Sequence, residues 1–315
     1  MRVAVLDDYQ RVAEGLADWK SLGPNVSVEF FHDHHKKEDD LVDRLQAFEI
    51  LAIMRERTPF PRSLIEKLPN LKLLVTTGKR NASVDMAACK ERGITVCGTA
   101  GSEGSTIELA WGLILSVVRG IPREDRALRE GRWQIKVGME LRGKTLGVLG
   151  LGRLGSQVAQ IGGAFGMNVI AWSQNLTAER AKSARAELVT KNELFERSDV
   201  ITIHLVLSDR TRKLVGREEL ARMKKTAYLV NTSRGPIVDE SALIAALESG
   251  QIAGAGIDVY YVEPLPPDDP IMQAPNTVLT PHIGYVADAS YATFYRETVE
   301  DIAAWLTGKP IRAIE

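Results

Sequence analysis

Thr145-Leu146-Gly147-Val148-Leu149-Gly150-Leu151-Gly152-Arg153-Leu154-Gly155 decides how the rest of the chain is read. A short apolar run with strand character enters three glycines spaced Gly-x-Gly-x-x-Gly, and a helical pattern follows through Phe165. In that setting the glycines have separate tasks. One permits a tight turn, one lets the backbone approach a diphosphate, and one lets the helix pack close to the strand. The helix N-terminus adds N–H groups and a partial positive charge. Gly150, Gly152, Arg153, Leu154 and Gly155 are therefore candidates for gripping a dinucleotide. For this loop taken alone, a methyltransferase binding an adenosyl cofactor is the competing reading.

Downstream, apolar runs at 168–172, 200–205, 227–231, 254–259 and 277–280 read as further strands, with helices between most of them. Upstream, runs at 3–6, 26–31, 50–54, 71–76 and 94–97 read as buried strands. They alternate with helical segments at 39–48, 61–68 and 84–92. Pro61 suits a first helical turn and Gly93 a helix end. This alternation predicts an α/β protein with two doubly wound, Rossmann-like parallel-sheet domains. A length of 315 residues agrees with two domains. The segment 105–119 is apolar around most of its circumference, so the pattern predicts a helix buried between domains or subunits. The last helix, 287–306, needs burial for Phe294, Val299, Ile302 and Trp305. It is expected to pack back on the first domain. That gives a discontinuous domain, 1–99 plus 286–315, and a dinucleotide domain, 100–285.

Composition excludes several classes of function. Forty basic residues against forty-one acidic ones leave a net charge of −1, which argues against nucleic acid as the main partner. No apolar stretch is long enough to span a bilayer, and the N-terminus runs from Met1 into Asp7-Asp8 without the shape of a signal peptide. Two cysteines without a Cys-x-x-Cys fit a reducing cytoplasm. The cluster Phe31-His32-Asp33-His34-His35 precedes two lysines and reads as solvated, so no metal site is expected.

Three polar motifs fall at the ends of later strands, where open α/β sheets place ligands. They are Asn231-Thr232-Ser233-Arg234-Gly235, Asp258-Val259-Tyr260-Tyr261-Val262-Glu263-Pro264 and Thr280-Pro281-His282-Ile283-Gly284. In this order after a glycine loop, they resemble the motifs of the D-isomer-specific 2-hydroxyacid dehydrogenases, a family that includes glyoxylate, hydroxypyruvate and phosphoglycerate dehydrogenases. The resemblance is dense from 76 to 284. It implies a substrate cleft between the two domains and a homodimer built partly on helix 105–119. At the cofactor it implies roles for Thr106, His204, Thr232, Ser233 and Gly284, with Asp258 bonding the nicotinamide carboxamide. The segment Thr77-Gly78-Lys79-Arg80-Asn81 resembles the loop whose N–H groups hold the substrate carboxylate, which assigns Gly78, Lys79 and Arg80 to substrate binding. Two departures stand out: Val206 replaces a proline after His204, and Tyr285 replaces a small residue after Gly284.

The chemistry supports the same roles independently. Reduction of a 2-keto acid needs a cation for carboxylate and keto oxygen, and Arg234 supplies a permanently charged planar fork. It needs an acid for that oxygen, and His282 donates or accepts a proton near neutral pH. Glu263 orients the imidazole. Each residue alone also reads blandly: a surface arginine, a solvated acid in a proline-rich loop, a capping histidine. Arg55 at a strand end meets a second anionic group on a substrate, or is a rim charge. Trp133 reads as a core or interface residue.

The alternatives are a non-catalytic NAD(H)-sensing regulator on this fold and a formate- or phosphite-type dehydrogenase. The formate enzymes carry glutamine where Glu263 stands. Cofactor choice turns on Ser173-Gln174-Asn175, where NAD users carry an acid at the first position. The missing carboxylate predicts a modest preference for NADP over NAD, against a relaxed pocket that takes both.

Overall fold

Short runs, aliphatic and buried at the centre, form two separate parallel sheets in a computed structural model that describes residues 1–102 and 104–314. The chain divides into two units, Met1–Ser102 with Val286–Glu315, and Glu103–Tyr285.

The first unit contains β1 (Arg2–Val5), α1 (Ala13–Leu16), β2 (Ser27–Phe30), α2 (Glu38–Leu45), β3 (Ile50–Ile53), α3 (Arg62–Glu66), β4 (Leu73–Thr76), α4 (Met86–Glu91) and β5 (Thr95–Gly98). Its sheet has the order β2-β1-β3-β4-β5, all parallel. Asp85 caps α4 by accepting from Ala88 N at 2.8 Å, and Gly93 follows that helix with φ 68°. β3 and β4 are wholly buried, as central parallel strands must be. β2 departs from the buried strand expected. It pairs only with β1, and Ser27 and Glu29 are exposed while Val28 and Phe30 are half-buried.

The second unit opens with α5 (Gly104–Arg119) and α6 (Ile121–Arg129). It continues through β6 (Thr145–Leu149), α7 (Arg153–Ala164), β7 (Asn168–Trp172), α8 (Ala178–Ser183), β8 (Glu187–Leu188), α9 (Lys191–Arg197) and β9 (Val200–Ile203). It closes with α10 (Arg217–Arg222), β10 (Tyr228–Asn231), α11 (Glu240–Glu248), β11 (Gly254–Ile257) and β12 (Thr277–Leu279). The sheet order is β12-β11-β10-β9-β6-β7-β8, again all parallel. One core covers the face carrying Leu149, Ile201, Leu229 and Ile257, and another covers the face carrying Leu146, Val148, Val200 and Val230. The two-residue edge strand β8 has too little pattern to be read from sequence.

The apolar helix α5 is buried within its own unit. Ile107, Ala110, Trp111, Ile114, Val117 and Val118 pack on the sheet face of β10 and β11 and against α7. These contacts cover much of its apolar circumference within the unit. Exposed apolar surface lies beyond it instead. Trp133, expected in a core or interface, is 75% exposed and lines a groove with the exposed Ile121 and Leu128. The final helix α12 (Asp288–Leu306) belongs to the first unit, where Phe294, Val299 and Ile302 are buried and it packs against α1 and β4. No single helix among the described residues is long and apolar enough to cross a membrane.

Candidate active site

The glycine loop divides its work in the way the spacing requires. Gly150 takes φ 104°, and a Cβ there would lie 2.6 Å from the His204 carbonyl oxygen. A Cβ on Gly155 would lie 2.1 Å from the Gly150 carbonyl oxygen, so only glycine lets α7 seat against the loop. A Cβ on Gly152 would meet nothing within 4 Å. That open side adjoins the start of α7, whose N-cap is Gly152 itself and which no side chain caps. A dinucleotide diphosphate fits there, facing N–H groups and the positive end of the helix. Arg153 is exposed and Leu154 half-buried in the first helical turn. At the end of β7, Ser173 is half-buried while Gln174 and Asn175 are exposed. His204 follows β9, and its Nε2 lies 2.9 Å from Thr202 Oγ1. Enclosure of the ring pushes its pKa down to about 4, so this imidazole is neutral at physiological pH.

Three strand ends of the same unit assemble the candidate catalytic group. After β10, Arg234 is half-buried, and its Nη1 donates to the Ser233 carbonyl at 2.7 Å. Asn231 shapes this turn: its Oδ1 accepts from Ser233 N at 3.0 Å and its Nδ2 donates to Arg234 O at 3.0 Å. Ser233 Oγ donates to Ile203 O at 2.7 Å, tying the turn to β9. Thr232 is buried, and its Oγ1 has no hydrogen-bond partner.

Glu263 Oε2 and His282 Nδ1 are 2.5 Å apart, and Tyr260 N donates to Glu263 Oε1 at 2.9 Å. A carboxylate only accepts, so Nδ1 carries the hydrogen and Nε2 is left as the proton-exchanging nitrogen. His282 has φ 51°, a left-handed conformation uncommon outside glycine and characteristic of constrained functional positions. The Tyr285 ring meets the imidazole edge-on, with centroids 5.3 Å apart at 73°.

What holds His282 in that conformation is Asp258, which is fully buried. Its Oδ1 accepts from Thr280 Oγ1 at 2.6 Å and Ile283 N at 2.8 Å, and its Oδ2 from Gly284 N at 3.0 Å. Burial raises its pKa, against the lowering effect of those hydrogen bonds and of the nearby His282. Gly284 O in turn accepts from Thr106 Oγ1 at 2.9 Å, which anchors the loop to α5. A carboxamide bonding to Asp258 would have to join oxygens already engaged with this backbone.

Within the first unit, Arg55 follows β3 with φ 50°. Gly78 takes φ 93°, which favours glycine, and the Arg55 guanidinium crosses it so closely that a Cβ would lie 2.3 Å from Nη1. The Gly78 N–H itself donates to Thr99 Oγ1 at 2.9 Å, while Lys79 and Arg80 are exposed. The histidine cluster differs from the solvated reading. His34 Nδ1 lies 3.1 Å from Asp7 Oδ1, and its side chain is 11% exposed. Among the described residues no three His, Cys, Asp or Glu are placed to hold a metal.

Sequence reasoning overlooked Gly235. A Cβ there would lie 2.3 Å from the Tyr260 carbonyl carbon, so this glycine lets the Arg234 turn pack directly on the turn that holds Glu263. It also overlooked Tyr260, whose hydroxyl donates to Thr280 O at 2.9 Å and links the Glu263 and His282 loops. The available signal for Gly235 was its position directly after the arginine.

Comparison with known proteins follows the same lines. Residues 111–284 match the NAD binding domain of the D-isomer specific 2-hydroxyacid dehydrogenases. D-3-phosphoglycerate dehydrogenase of Methanocaldococcus jannaschii is 38% identical over 276 residues, which is 86% of this chain and 52% of that protein. The chain thus spans about half the length of that relative. Glyoxylate reductase of Aeropyrum pernix is 40% identical over 256 residues, covering 78% of this chain and 76% of that protein. The crystal structure of a phosphoglycerate oxidoreductase from Vibrio cholerae superposes with a TM-score of 0.92 at 36% identity, covering 98% and 99% of the two chains. By the profile match and by these identities, the chain belongs to the D-isomer-specific 2-hydroxyacid dehydrogenase family.

Proposed function

We propose that the chain interconverts a small 2-keto acid, such as glyoxylate or hydroxypyruvate, and the D-2-hydroxy acid, using NAD(P)(H). The observation that carries this reading is the His282–Glu263 pair at 2.5 Å, in the unit that also holds Arg234 and the glycine loop. When bound, the nicotinamide supplies or accepts the hydride. Arg234 binds the carboxylate and polarises the keto oxygen, a geometry that a planar fork suits better than an ammonium. His282 Nε2 gives that oxygen its proton in reduction and removes it in oxidation. Glu263, held by Tyr260 N, accepts from Nδ1–H and fixes the tautomer and ring orientation that leave Nε2 to exchange the proton.

The second unit, 100–285 by its sequence pattern, is the dinucleotide domain in this reading. Gly150, Gly152, Arg153, Leu154 and Gly155 hold the diphosphate, with Thr106, His204, Thr232, Ser233, Asp258 and Gly284 lining the cofactor. The first unit is the substrate domain, with the loop of Gly78, Lys79 and Arg80 holding the substrate carboxylate and Arg55 receiving a second anionic group, while Tyr285 of the second unit shapes the pocket. Ser173, Gln174 and Asn175 offer hydrogen bonds and no repelling carboxylate, which supports a modest NADPH preference. A homodimer is part of the proposal. The exposed Ile121 and Leu128 of α6 and Trp133 after it line a groove of about 480 Å³, which supports this face as part of its basis.

The test is absorbance of the reduced nicotinamide with a panel of 2-keto acids, for the wild type and His282→Ala. The variant is expected to lose on the order of a hundredfold in kcat while keeping its cofactor affinity. Turnover by His282→Ala near the wild-type rate refutes the assignment.

A further inference from the structure

Outside the candidate active site, a buried polar cluster of the first unit surrounds Asp7, directly after β1. Asp7 is 1% exposed and sits at φ 57°, unusual for a non-glycine residue. A carboxylate so buried persists only when its oxygens are fully engaged. Its donors come from three different loops: Tyr9 OH at 3.1 Å after β1, His34 Nδ1 at 3.1 Å after β2, and Thr58 Oγ1 at 2.7 Å after β3. The Asp7 carbonyl also accepts from Arg57 Nη1 at 2.8 Å. Arg57 lies over the Tyr9 ring at 4.6 Å and reaches Tyr291 OH on α12 at 3.3 Å.

The loop from Arg55 to Thr58 is therefore fastened at both ends. At the near end, Arg55 N donates to Thr77 Oγ1 at 2.9 Å, and Arg55 O accepts from Asn81 Nδ2 at 2.6 Å. Arg57 N closes a turn onto Met54 O at 3.2 Å. At the far end, both anchors, Thr58 Oγ1 and Arg57 Nη1, lead to Asp7. Between them Arg55 occupies a left-handed conformation, and its guanidinium crosses Gly78. An arginine in such a conformation reverts to ordinary backbone once the loop around it loosens.

We infer that Asp7 is a positioning residue for anion recognition: through Thr58 and Arg57 it holds the loop in the one conformation that presents Arg55 to a second anionic group of the substrate. Asp7 touches no substrate itself. This rests on the proposed reading of Arg55 as a substrate-binding residue. It places part of the basis for substrate choice at the end of β1, away from the loops that carry the cations. His34 and Tyr9 complete the shell and keep the carboxylate from being left unpaired when Thr58 moves.

The test uses the full chain with reduced cofactor, and two variants, Asp7→Asn and Thr58→Val. Thr58→Val removes one hydrogen bond at nearly constant volume and serves if Asp7→Asn folds poorly. Steady-state kinetics compare glyoxylate, a monoanion, with 2-oxosuccinate, a dianion. Both variants are expected to raise KM for the dianion about tenfold, the effect of losing one charge-assisted contact, with glyoxylate KM and cofactor KM nearly unchanged. Equal losses on both keto acids, or a lowered Tm alone, assign Asp7 a purely structural role and overturn the inference.

Hydrogen–deuterium exchange supplies a readout independent of turnover. The Arg55 and Arg57 amides are expected to exchange faster in Thr58→Val, and unchanged protection overturns the inference. A wild type that turns over no 2-keto acid, with exchange responding as expected, rejects the proposed reaction and leaves the Asp7 anchor standing.

Discussion

Replacing Gly235 by alanine tests whether the arginine turn and the glutamate turn form one rigid unit. The added Cβ would lie 2.3 Å from the Tyr260 carbonyl carbon, 2.4 Å from its oxygen and 2.8 Å from its Cα. All three are backbone atoms, so no side chain can swing away. Ordinary contact begins near 3.4 Å, which obliges the two turns to separate by about 1 Å. Tyr260 N holds Glu263, and the Tyr260 hydroxyl holds the loop before His282. The separation therefore moves Arg234 away from the Glu263–His282 pair. A misplacement of about 1 Å costs on the order of a hundredfold in rate, or roughly 2.7 kcal/mol of transition-state stabilisation. Overpacking of a well-packed site costs about 1–3 kcal/mol of stability, so Gly235→Ala should remain folded with a lowered Tm. The assay is kcat/KM for glyoxylate and hydroxypyruvate, beside a cofactor dissociation constant from nicotinamide fluorescence and a thermal melt. The expected pattern is a large loss in kcat/KM with cofactor affinity nearly intact. A variant with a lowered Tm and wild-type kcat/KM refutes the claim that these turns are coupled through Gly235.

Gly155→Ala places a Cβ 2.1 Å from the Gly150 carbonyl and should raise cofactor KM strongly, checked by the same fluorescence titration, since α7 can no longer seat on its loop. Ser173→Asp should turn the kcat/KM ratio toward NADH, because a carboxylate there repels a 2′-phosphate and bonds a free ribose hydroxyl. Asp301 on α12 offers a pH test. Burial raises its pKa to about 7 despite its 2.9 Å ion pair with Arg312. With the folded value above the unfolded one, the unfolded chain binds fewer protons between about pH 4 and pH 7, and stability falls as pH rises through that window. Asp301→Asn should flatten this part of the stability–pH curve measured by urea unfolding, and an unchanged slope removes Asp301 as its cause.

Much of the candidate site was legible because it is built from backbone requirements. The spacing of Gly150, Gly152 and Gly155 states where a turn, an open side and a close helix contact must fall, and their surroundings in the fold have those three characters. Central strands such as Ile50–Ile53 are apolar at every position, as strands buried on both faces are, and their alternation with helical segments marks them as strands. The strand at 27–30 was misjudged because its Ser-Val-Glu-Phe alternation is that of an edge with one wet side. The apolar circumference of α5 is largely met by β10, β11 and α7 of its own unit, which a helical pattern alone does not distinguish from an interface. Asp7 and His34 were not singled out as a pair, because partners 27 positions apart in sequence meet only once β1 and β2 are laid side by side. Gly235 was missed for a related reason. Its constraint comes from the Tyr260 backbone, which no local pattern announces.

Arg234, Glu263 and His282 lie in one uninterrupted stretch, Glu103–Tyr285, bracketed by the two segments of the other unit. A genetic exchange with two breakpoints, one just after β5 and one just before α12, would carry the whole candidate catalytic group and the dinucleotide loop together. The Arg55 loop and its Asp7 anchor would stay behind. On the proposed roles, ancestral recombination among relatives would then renew the recognition of a second anionic group without disturbing the proton-transfer machinery. Drift in the two parts would also leave separate records, one in the middle of the gene and one at its ends.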